Sequence, residues 1–295
     1  MKCPLCGSQK FKSKIIKTQE VDSPKLSTLL ECLFCELAFT DDFLDDRNFI
    51  YGNNYIAWHQ AIDNDENLIA ASKKITFKKQ LGSLFKYIDP KDKTILDIGT
   101  GNGYLLEIAR KMGFDCYGID ISPNSAEIAR KIFFEKIKTG SFLEIDYPDN
   151  FFDVICITDV LEHISNPHKM FSKINKIIKS GGYIFVISPN YGSITRKILN
   201  KKWFQFKYEH VLYYNQKSFK YLMDYHNYQI LHFNNNIKFF SLYYYFSYFK
   251  KYSLLNFSKY FNILKKFIPF KIQAINFPNP ISGEFLAIVK SKKHE

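Results

Sequence analysis

The sequence predicts an α/β fold, a mostly parallel sheet flanked by helices, preceded by a small metal-bound ribbon. Three observations carry this. Two C-x2-C pairs stand near the start of the chain, short apolar runs in its middle fit buried strands, and a glycine-rich turn joins one such run to an amphipathic helix. With 295 residues and 46% hydrophobic content, one catalytic domain of ordinary size fits, with one or two small additions. The opening Met1-Lys-Cys-Pro-Leu-Cys6 has no apolar signal region, so a cytoplasmic protein is expected. The uncharged aromatic run between Lys238 and Lys250 is too short to cross a bilayer.

The first element is the ribbon. Cys3-Pro-Leu-Cys6-Gly7 and Cys32-Leu-Phe-Cys35 form two knuckles separated by 25 residues. Two residues between cysteines let both sulfurs face one ion, and two knuckles complete a tetrahedral site of four thiolates. Such a site is closed, which predicts one structural zinc per chain, held by Cys3, Cys6, Cys32 and Cys35, and excludes metal chemistry there. Gly7 relaxes the first knuckle, whereas Glu36 stands where a second glycine is expected. So short a segment buries little surface, which predicts that the metal is its core. Cys116 and Cys156 sit inside apolar strand patterns and read as buried small hydrophobes.

The next element is the glycine turn. Thr94-Ile-Leu-Asp97-Ile98 fits a buried parallel strand and runs into Gly99-Thr-Gly101-Asn102-Gly103. A helix follows, with Leu105, Ile108, Ala109 and Met112 on one face. Glycines between strand and helix let a ligand approach the backbone. A dinucleotide fingerprint would need glycine at the position of Tyr104; the pattern is instead G-x-G-x-G with an acid, Asp97, two residues ahead. The second strand, Asp115 to Ile119, ends at Asp120, whose carboxylate is placed to accept hydrogen bonds from both hydroxyls of a ribose. Ser122 and Pro123 supply an N-cap and first-turn proline for the following helix.

The formal charge of +12 raises nucleic acid as a partner. Only Arg47, Arg110, Arg130 and Arg196 among the 41 basic residues are arginine, the usual bidentate reader of bases and phosphates. A solvated lysine-rich surface is therefore the preferred reading, and nucleic acid the minor one.

Asp97-Ile-Gly99-Thr-Gly101-Asn102-Gly103 resembles motif I of the class I S-adenosylmethionine-dependent methyltransferases. The resemblance continues through Phe151-Phe-Asp153-Val-Ile-Cys-Ile-Thr158-Asp159-Val-Leu-Glu162-His163 and Gly181-Gly182-Tyr-Ile-Phe-Val-Ile-Ser-Pro189-Asn190, which are similar to the ubiquinone-biosynthesis branch. It implies a Rossmann-like, seven-stranded, mostly parallel sheet with helices on both faces, closed by an antiparallel strand that Glu284 to Val289 matches. It implies S-adenosylmethionine as cofactor, with Gly99, Gly101 and Gly103 around its methionine part and Asp120 on its ribose. Asn102, Ile121, Phe142 and Thr158 join the expected cofactor contacts. The family's acid after strand three is missing here, and Ser141 is the nearest candidate for the adenine.

Three roles are open for Asp159, Glu162 and His163. On a helical turn Asp159 would neighbour the other two at i+3 and i+4, so a carboxylate could orient His163 as general base for a hydroxyl acceptor. The same three side chains could instead bind a divalent cation such as magnesium, or form a packing cluster. His210 is a second candidate base. Tyr51 and Tyr55, with Trp58 and His59, belong either to a lid over the cofactor or to an amphipathic helix packed on the core.

Four segments result: the ribbon, 1–45; the cofactor-binding core, 46–235; an aromatic helical insertion, 236–275; and the final strand and tail, 276–295. The insertion carries Phe239, Phe240, Tyr243, Phe246 and Phe249. Beyond them lies a stripe of Phe257, Tyr260, Phe261, Leu264, Phe267 and Ile268 opposed by Lys259, Lys265 and Lys266. Core packing, a membrane surface at the inner face of the bilayer and self-association are the alternatives for that stripe. The function expected is O-methylation of a small molecule, a saccharide or a glycolipid. The alternatives are an RNA methyltransferase docking through its ribbon and a non-catalytic S-adenosylmethionine-binding scaffold.

Overall fold

A computed structural model of the chain describes residues 1–18, 26–42, 66–245 and 268–293. Tyr51, Tyr55, Trp58 and His59, like Phe246, Phe249 and the stripe from Phe257 to Phe267, lie outside the described residues. The strands in chain order are β1 (Phe11–Lys17), β2 (Leu26–Cys32), β3 (Ala38–Thr40), β4 (Thr94–Ile98), β5 (Asp115–Asp120), β6 (Ile137–Thr139), β7 (Phe152–Thr158), β8 (Ile178–Pro189), β9 (Leu212–Tyr213), β10 (Tyr228–Asn235), β11 (Lys238–Ser241), β12 (Asn276–Asn279) and β13 (Glu284–Ser291). The helices that position the site are α1 (Glu66–Leu81), α2 (Tyr104–Lys111), α3 (Pro123–Phe133), α4 (Pro167–Ile177), α5 (Ile194–Leu199) and α6 (Gln216–Tyr225).

Seven strands form one sheet in the order β10-β13-β8-β7-β4-β5-β6. Strands β8, β7, β4, β5 and β6 run parallel, and β13 lies antiparallel between β8 and β10. The Rossmann-like fold class and the closing antiparallel strand are therefore as the sequence implies. Both faces are covered, which is why the strands read as continuous apolar runs. Alternation still sorts them: Leu96, Ile155, Ile157, Ile184 and Val186 pack with α4 and α6, whereas Ile95, Val154, Cys156 and Phe185 pack with α2 and α3. Cys116 and Cys156 are both buried. No helix among the described residues is long and apolar enough to cross a membrane.

The ribbon is joined to this body through a second sheet, β1-β2-β3-β9. Ala38 pairs with Tyr213 and Phe39 with Leu212. Cys3, Leu5, Cys32, Cys35, Leu37 and Phe39 belong to the same apolar cluster as Leu161, Met170, Leu212 and Phe219. The expectation that the metal alone forms the ribbon's core is corrected here: much of the apolar surface the ribbon buries is offered by the larger domain. The two knuckles have matching geometry. Gly7 N–H donates to Cys3 C=O and Glu36 N–H to Cys32 C=O, each at 3.0 Å. Gly7 has φ +73° and Glu36 φ +63°, a backbone region that favours glycine. Glu36 is held there by its carboxylate, which accepts from Asn215 Nδ2 at 3.0 Å and Lys217 Nζ at 2.9 Å. The departure from glycine thus ties the second knuckle to the start of α6, where Asn215 is the N-cap.

Candidate active site

The carboxyl edge of the sheet opens into a cavity of about 530 Å³. Asp97, Gly99, Gly101, Asn102, Asp120, Ile121, Ser141, Phe142 and Thr158 line it, as do Asp159, Glu162, His163 and His210. Gly103 does not line it. Its φ of +81° and the 3.2 Å a Cβ would leave to Ala129 Cβ assign it to packing of α2 on α3. Gly99 is also required by packing, because a Cβ would approach Val160 Cγ2 to 2.4 Å. Gly101 is different: at φ +53° a Cβ would meet nothing within 4 Å, so glycine there keeps backbone open to the cavity.

The turn is fixed by the acid at the end of β5. Asp120 accepts from Gly101 N–H at 2.7 Å and from Ser122 N–H at 2.8 Å, one bond on each oxygen. Each oxygen keeps a second lone pair for a hydroxyl. Burial raises the Asp120 carboxyl above its ordinary range, against those two amides. Asp97 is 1% exposed, its Oδ1 has no hydrogen-bond partner among the described residues, and burial raises its carboxyl well above the usual range. An orphaned buried acceptor beside an open glycine backbone and a diol acceptor suits a ligand with a cationic group at one end and a ribose at the other. These residues fit S-adenosylmethionine.

At the other end the expected helical turn is absent. Asp159 has φ +56° and precedes a short 3-10 turn, Leu161–His163. Its carboxylate turns to Lys238, whose Nζ lies 3.2 Å from Oδ2. The trio Asp159, Glu162 and His163 is therefore corrected. The groups whose ligand atoms fall within 4.8 Å of one another are Glu162, His163 and His210. His163 Nδ1 is 2.8 Å from Glu209 C=O and His210 Nδ1 is 2.9 Å from Gln205 C=O. A carbonyl only accepts, so each Nδ1 carries the proton and each Nε2 the lone pair in the neutral ring. Burial lowers both imidazoles, His210 far below its ordinary value. Burial, reinforced by the nearby Asp159 charge, pushes the Glu162 carboxyl up to about 8. Glu162 Oε2 accepts from Ser188 Oγ at 2.9 Å, and Oε1 lies 3.9 Å from His210 Nε2.

Sequence reasoning passed over several groups in the same wall. Lys238 Nζ is 2.7 Å from Glu284 Oε1, to which Gln205 Nε2 also donates at 3.0 Å. Asn236 Nδ2 donates to Glu284 Oε2 at 2.8 Å, and Gln80 Nε2 to Asn236 Oδ1 at 2.7 Å. Burial alone would lower Lys238; the two carboxylates beside it overcome that and raise it. The one signal in the sequence was a charged residue, Glu284, opening the apolar run Phe285 to Val289. Phe240 and Tyr244 stack at 4.3 Å and 11° and also line the cavity. Phe239 lines it too, whereas Tyr243 does not.

The four ribbon sulfurs lie within 4.8 Å of one another, with Cys3 to Cys35 at 3.6 Å and Cys6 to Cys32 at 3.5 Å. A tetrahedron with zinc–sulfur bonds of about 2.3 Å has edges of about 3.8 Å, so the donor set fits one zinc ion.

A family model described as a methyltransferase domain matches residues 72–233, more than half of the chain. Among curated proteins the chain is 30% identical to ajmaline N-methyltransferase of Rauvolfia serpentina, over 34% of this chain and 37% of that protein. It is 29% identical to phosphoethanolamine N-methyltransferase 2 of Caenorhabditis elegans, over 50% and 32%. It is also 29% identical to a ubiquinone biosynthesis O-methyltransferase of Nitrosomonas europaea, over 34% and 45%. The chain spans less than half the length of each of these three relatives. Two solved structures share its fold. One is a SAM dependent methyltransferase from Archaeoglobus fulgidus, with TM-score 0.50 and 18% identity over 77% of this chain and 100% of that one. The other comes from the complex of the Haloferax volcanii Trm112 methyltransferase activator with a methyltransferase, with TM-score 0.53 and 13% identity over 80% and 98%.

Proposed function

The chain belongs to the methyltransferase-domain family, of the class I S-adenosylmethionine-dependent kind, and from that membership we propose that it methylates a hydroxyl group of a small-molecule or saccharide acceptor, glycolipids included. The observation that carries the hydroxyl assignment is His163. Its Nδ1 faces the Glu209 carbonyl at 2.8 Å, which fixes the neutral ring as the Nδ1–H tautomer, the form a base acting at Nε2 requires, in the wall of the cavity that also holds the glycine turn. An amine acceptor is nucleophilic once neutral, whereas a hydroxyl gains from a base that removes its proton during attack.

S-adenosylmethionine supplies an electrophilic methyl group when bound. Asp120 would hold its ribose, and the Gly101 backbone would border its methionine part. His163 takes the acceptor's proton at Nε2, and the Glu209 carbonyl steadies the ring as it becomes cationic. Much of the rate comes from holding donor and acceptor in line. The stacked Phe240 and Tyr244 offer a flat apolar platform of the kind a sugar ring packs on, and the Lys238–Glu284 network offers donors and acceptors for its hydroxyls. A zinc ion in the ribbon has a structural role in this reading.

The test is transfer of labelled methyl from S-adenosylmethionine to free and nucleotide-linked sugars, to extracted glycolipids and to structured RNA. Labelled sugar or glycolipid is the expected result. Label in RNA alone overturns the acceptor class. Turnover abolished by chelation and restored by magnesium replaces the general base with a cation at Glu162, His163 and His210.

A further inference from the structure

One cation at the acceptor end is shared by two carboxylates of unlike character. Lys238 Nζ lies 2.7 Å from Glu284 Oε1 and 3.2 Å from Asp159 Oδ2. The Glu284 side chain is 5% exposed, and both its oxygens are committed. Oε1 also accepts from Gln205 Nε2 at 3.0 Å, and Oε2 accepts from Asn236 Nδ2 at 2.8 Å. The Asp159 side chain is 47% exposed and lines the cavity. Among the described residues its oxygens accept hydrogen bonds from Lys238 alone, at 3.2 and 3.4 Å. A carboxylate has about four lone-pair sites, so Asp159 keeps acceptor capacity open to the cavity. Glu284 therefore anchors the ammonium in the wall, and Asp159 presents a carboxylate beside it. The φ of +56° at Asp159 is a left-handed setting that costs a residue with a Cβ energy, of the kind kept at functional sites. Lys238 and Phe240 are two residues apart on β11, so their side chains leave one face of the strand about 7 Å apart, the scale of one hexose ring. Both line the cavity. Strand β11 is itself pinned to α1, since Phe239 N–H donates to Thr76 Oγ1 at 2.9 Å.

We propose that Asp159 and Lys238 clamp the hydroxyl next to the reacting one on an uncharged sugar ring that packs on Phe240, and so determine acceptor specificity. A hydroxyl donates one hydrogen bond and accepts others, so it satisfies a carboxylate and an ammonium together. An ammonium, carboxylate or phosphate group suits one of the two and is repelled by the other. The charges around them favour a neutral ligand as well. Outside the cofactor turn, Asp159, Glu209 and Glu284 line the cavity against Lys73, Lys207 and Lys238, while burial, with the Asp159 charge, holds the Glu162 carboxyl up at about 8. A wall so balanced gives an ionic acceptor no advantage. Burial lowers the His163 imidazole and the Asp159 charge opposes it, so clamp and base lie within electrostatic range of each other. This assignment rests on hydroxyl methylation being the reaction, and it narrows the acceptor to a neutral saccharide unit with neighbouring hydroxyls.

Transfer of labelled methyl by the full chain tests it. The probes are the methyl glycosides of glucose, galactose, mannose and rhamnose, and counterparts that lack the hydroxyl next to the labelled one. At least one glycoside should take label, with kcat/KM about tenfold or more lower for its deoxygenated counterpart, the value of a charge-assisted hydrogen bond. Asp159→Gly suits the positive φ and removes the carboxylate. It should abolish that discrimination and raise KM for the full glycoside by about as much, with S-adenosylhomocysteine affinity unchanged by calorimetry. Lys238→Arg should keep most of the discrimination. Discrimination intact in Asp159→Gly, or equal use of both sugars by wild type, overturns the clamp and leaves hydroxyl methylation standing. Preference for glucose 6-phosphate over the glucoside does the same. Label in no glycoside, whether or not benzylamine takes it, overturns the saccharide acceptor and the clamp together.

Discussion

The two ends of the cavity are built on opposite plans. The glycine turn and its acid at the cofactor end come from one continuous stretch, Asp97 to Ser122, and act largely through backbone: an open glycine, and an acid that clamps two amides. The acceptor end gathers Asp159, Glu162, His163, Gln205, His210, Lys238 and Glu284 from distant parts of the chain. It works through side chains, and it leans on the ribbon. Thr40 N–H donates to Val211 C=O at 3.1 Å, and Val211 N–H donates to Glu162 C=O at 2.9 Å. Two hydrogen bonds therefore link β3 to the candidate catalytic cluster. The ribbon thus reaches the wall of the cavity through a backbone relay, and perturbations should respect the division.

The largest effect should follow loss of the ribbon's metal. Wild type should carry about one zinc per chain, and Cys32→Ser should release it; structural zinc contributes on the order of 10 kcal/mol to its domain in zinc-finger peptides. With β3 unseated, turnover should fall while S-adenosylmethionine affinity holds. Loss of both together would break the comparison, because the ribbon would then support the whole fold.

Next in size is His163→Ala. As general base it should account for roughly 10²- to 10⁴-fold of kcat, with cofactor affinity unaltered. Turnover at the wild-type rate would return His163 to packing. Asp120→Ala should act in the reverse sense, weakening S-adenosylmethionine by about 10- to 100-fold per bond lost, as read by calorimetry. Unchanged affinity, or preference for a nicotinamide dinucleotide, would remove the cofactor assignment.

The smallest effect is a pH dependence of stability, and it also separates the two ends. His168 Nε2–H donates to Leu5 C=O at 2.8 Å in the first knuckle, and its Nδ1 lies 3.0 Å from His226 Nε2. Burial, with His168 next to it, lowers His226 to about 4 from an ordinary 6.5. The unfolded chain then binds a proton more readily, so this contribution is complete above pH 6.5 and is lost as pH falls toward about 4. Its size is at most about 3 kcal/mol. Asp97 has the opposite sign, since burial raises it and its contribution is lost as pH rises. Melting of His226→Phe and wild type across pH 4 to 7 should show the variant less acid-sensitive; identical curves would remove His226 from the account.

Much of the cofactor end was legible because its residues lie close together in sequence and each type has a local reason. A left-handed turn favours glycine, a strand end needs its acid, and Ser122 caps the helix it precedes. The four cysteines were legible for the same reason, since knuckle geometry is local. Asp159 misled, because an i, i+3, i+4 pattern presumes a helix, and positive φ with a lysine 79 residues away broke it.

The sequence by itself therefore determined the sheet class, the glycine turn, Asp120 and the cysteine knuckles, since each depends on spacing and backbone preference over a few residues. Tertiary structure alone decided that Glu162 meets His210 and that Lys238 joins Asp159 to Glu284. It also decided that β3 pairs with β9. Those contacts form between segments whose separation along the chain carries no periodicity, and they exist only once the sheet has brought strand ends and α1 to one edge.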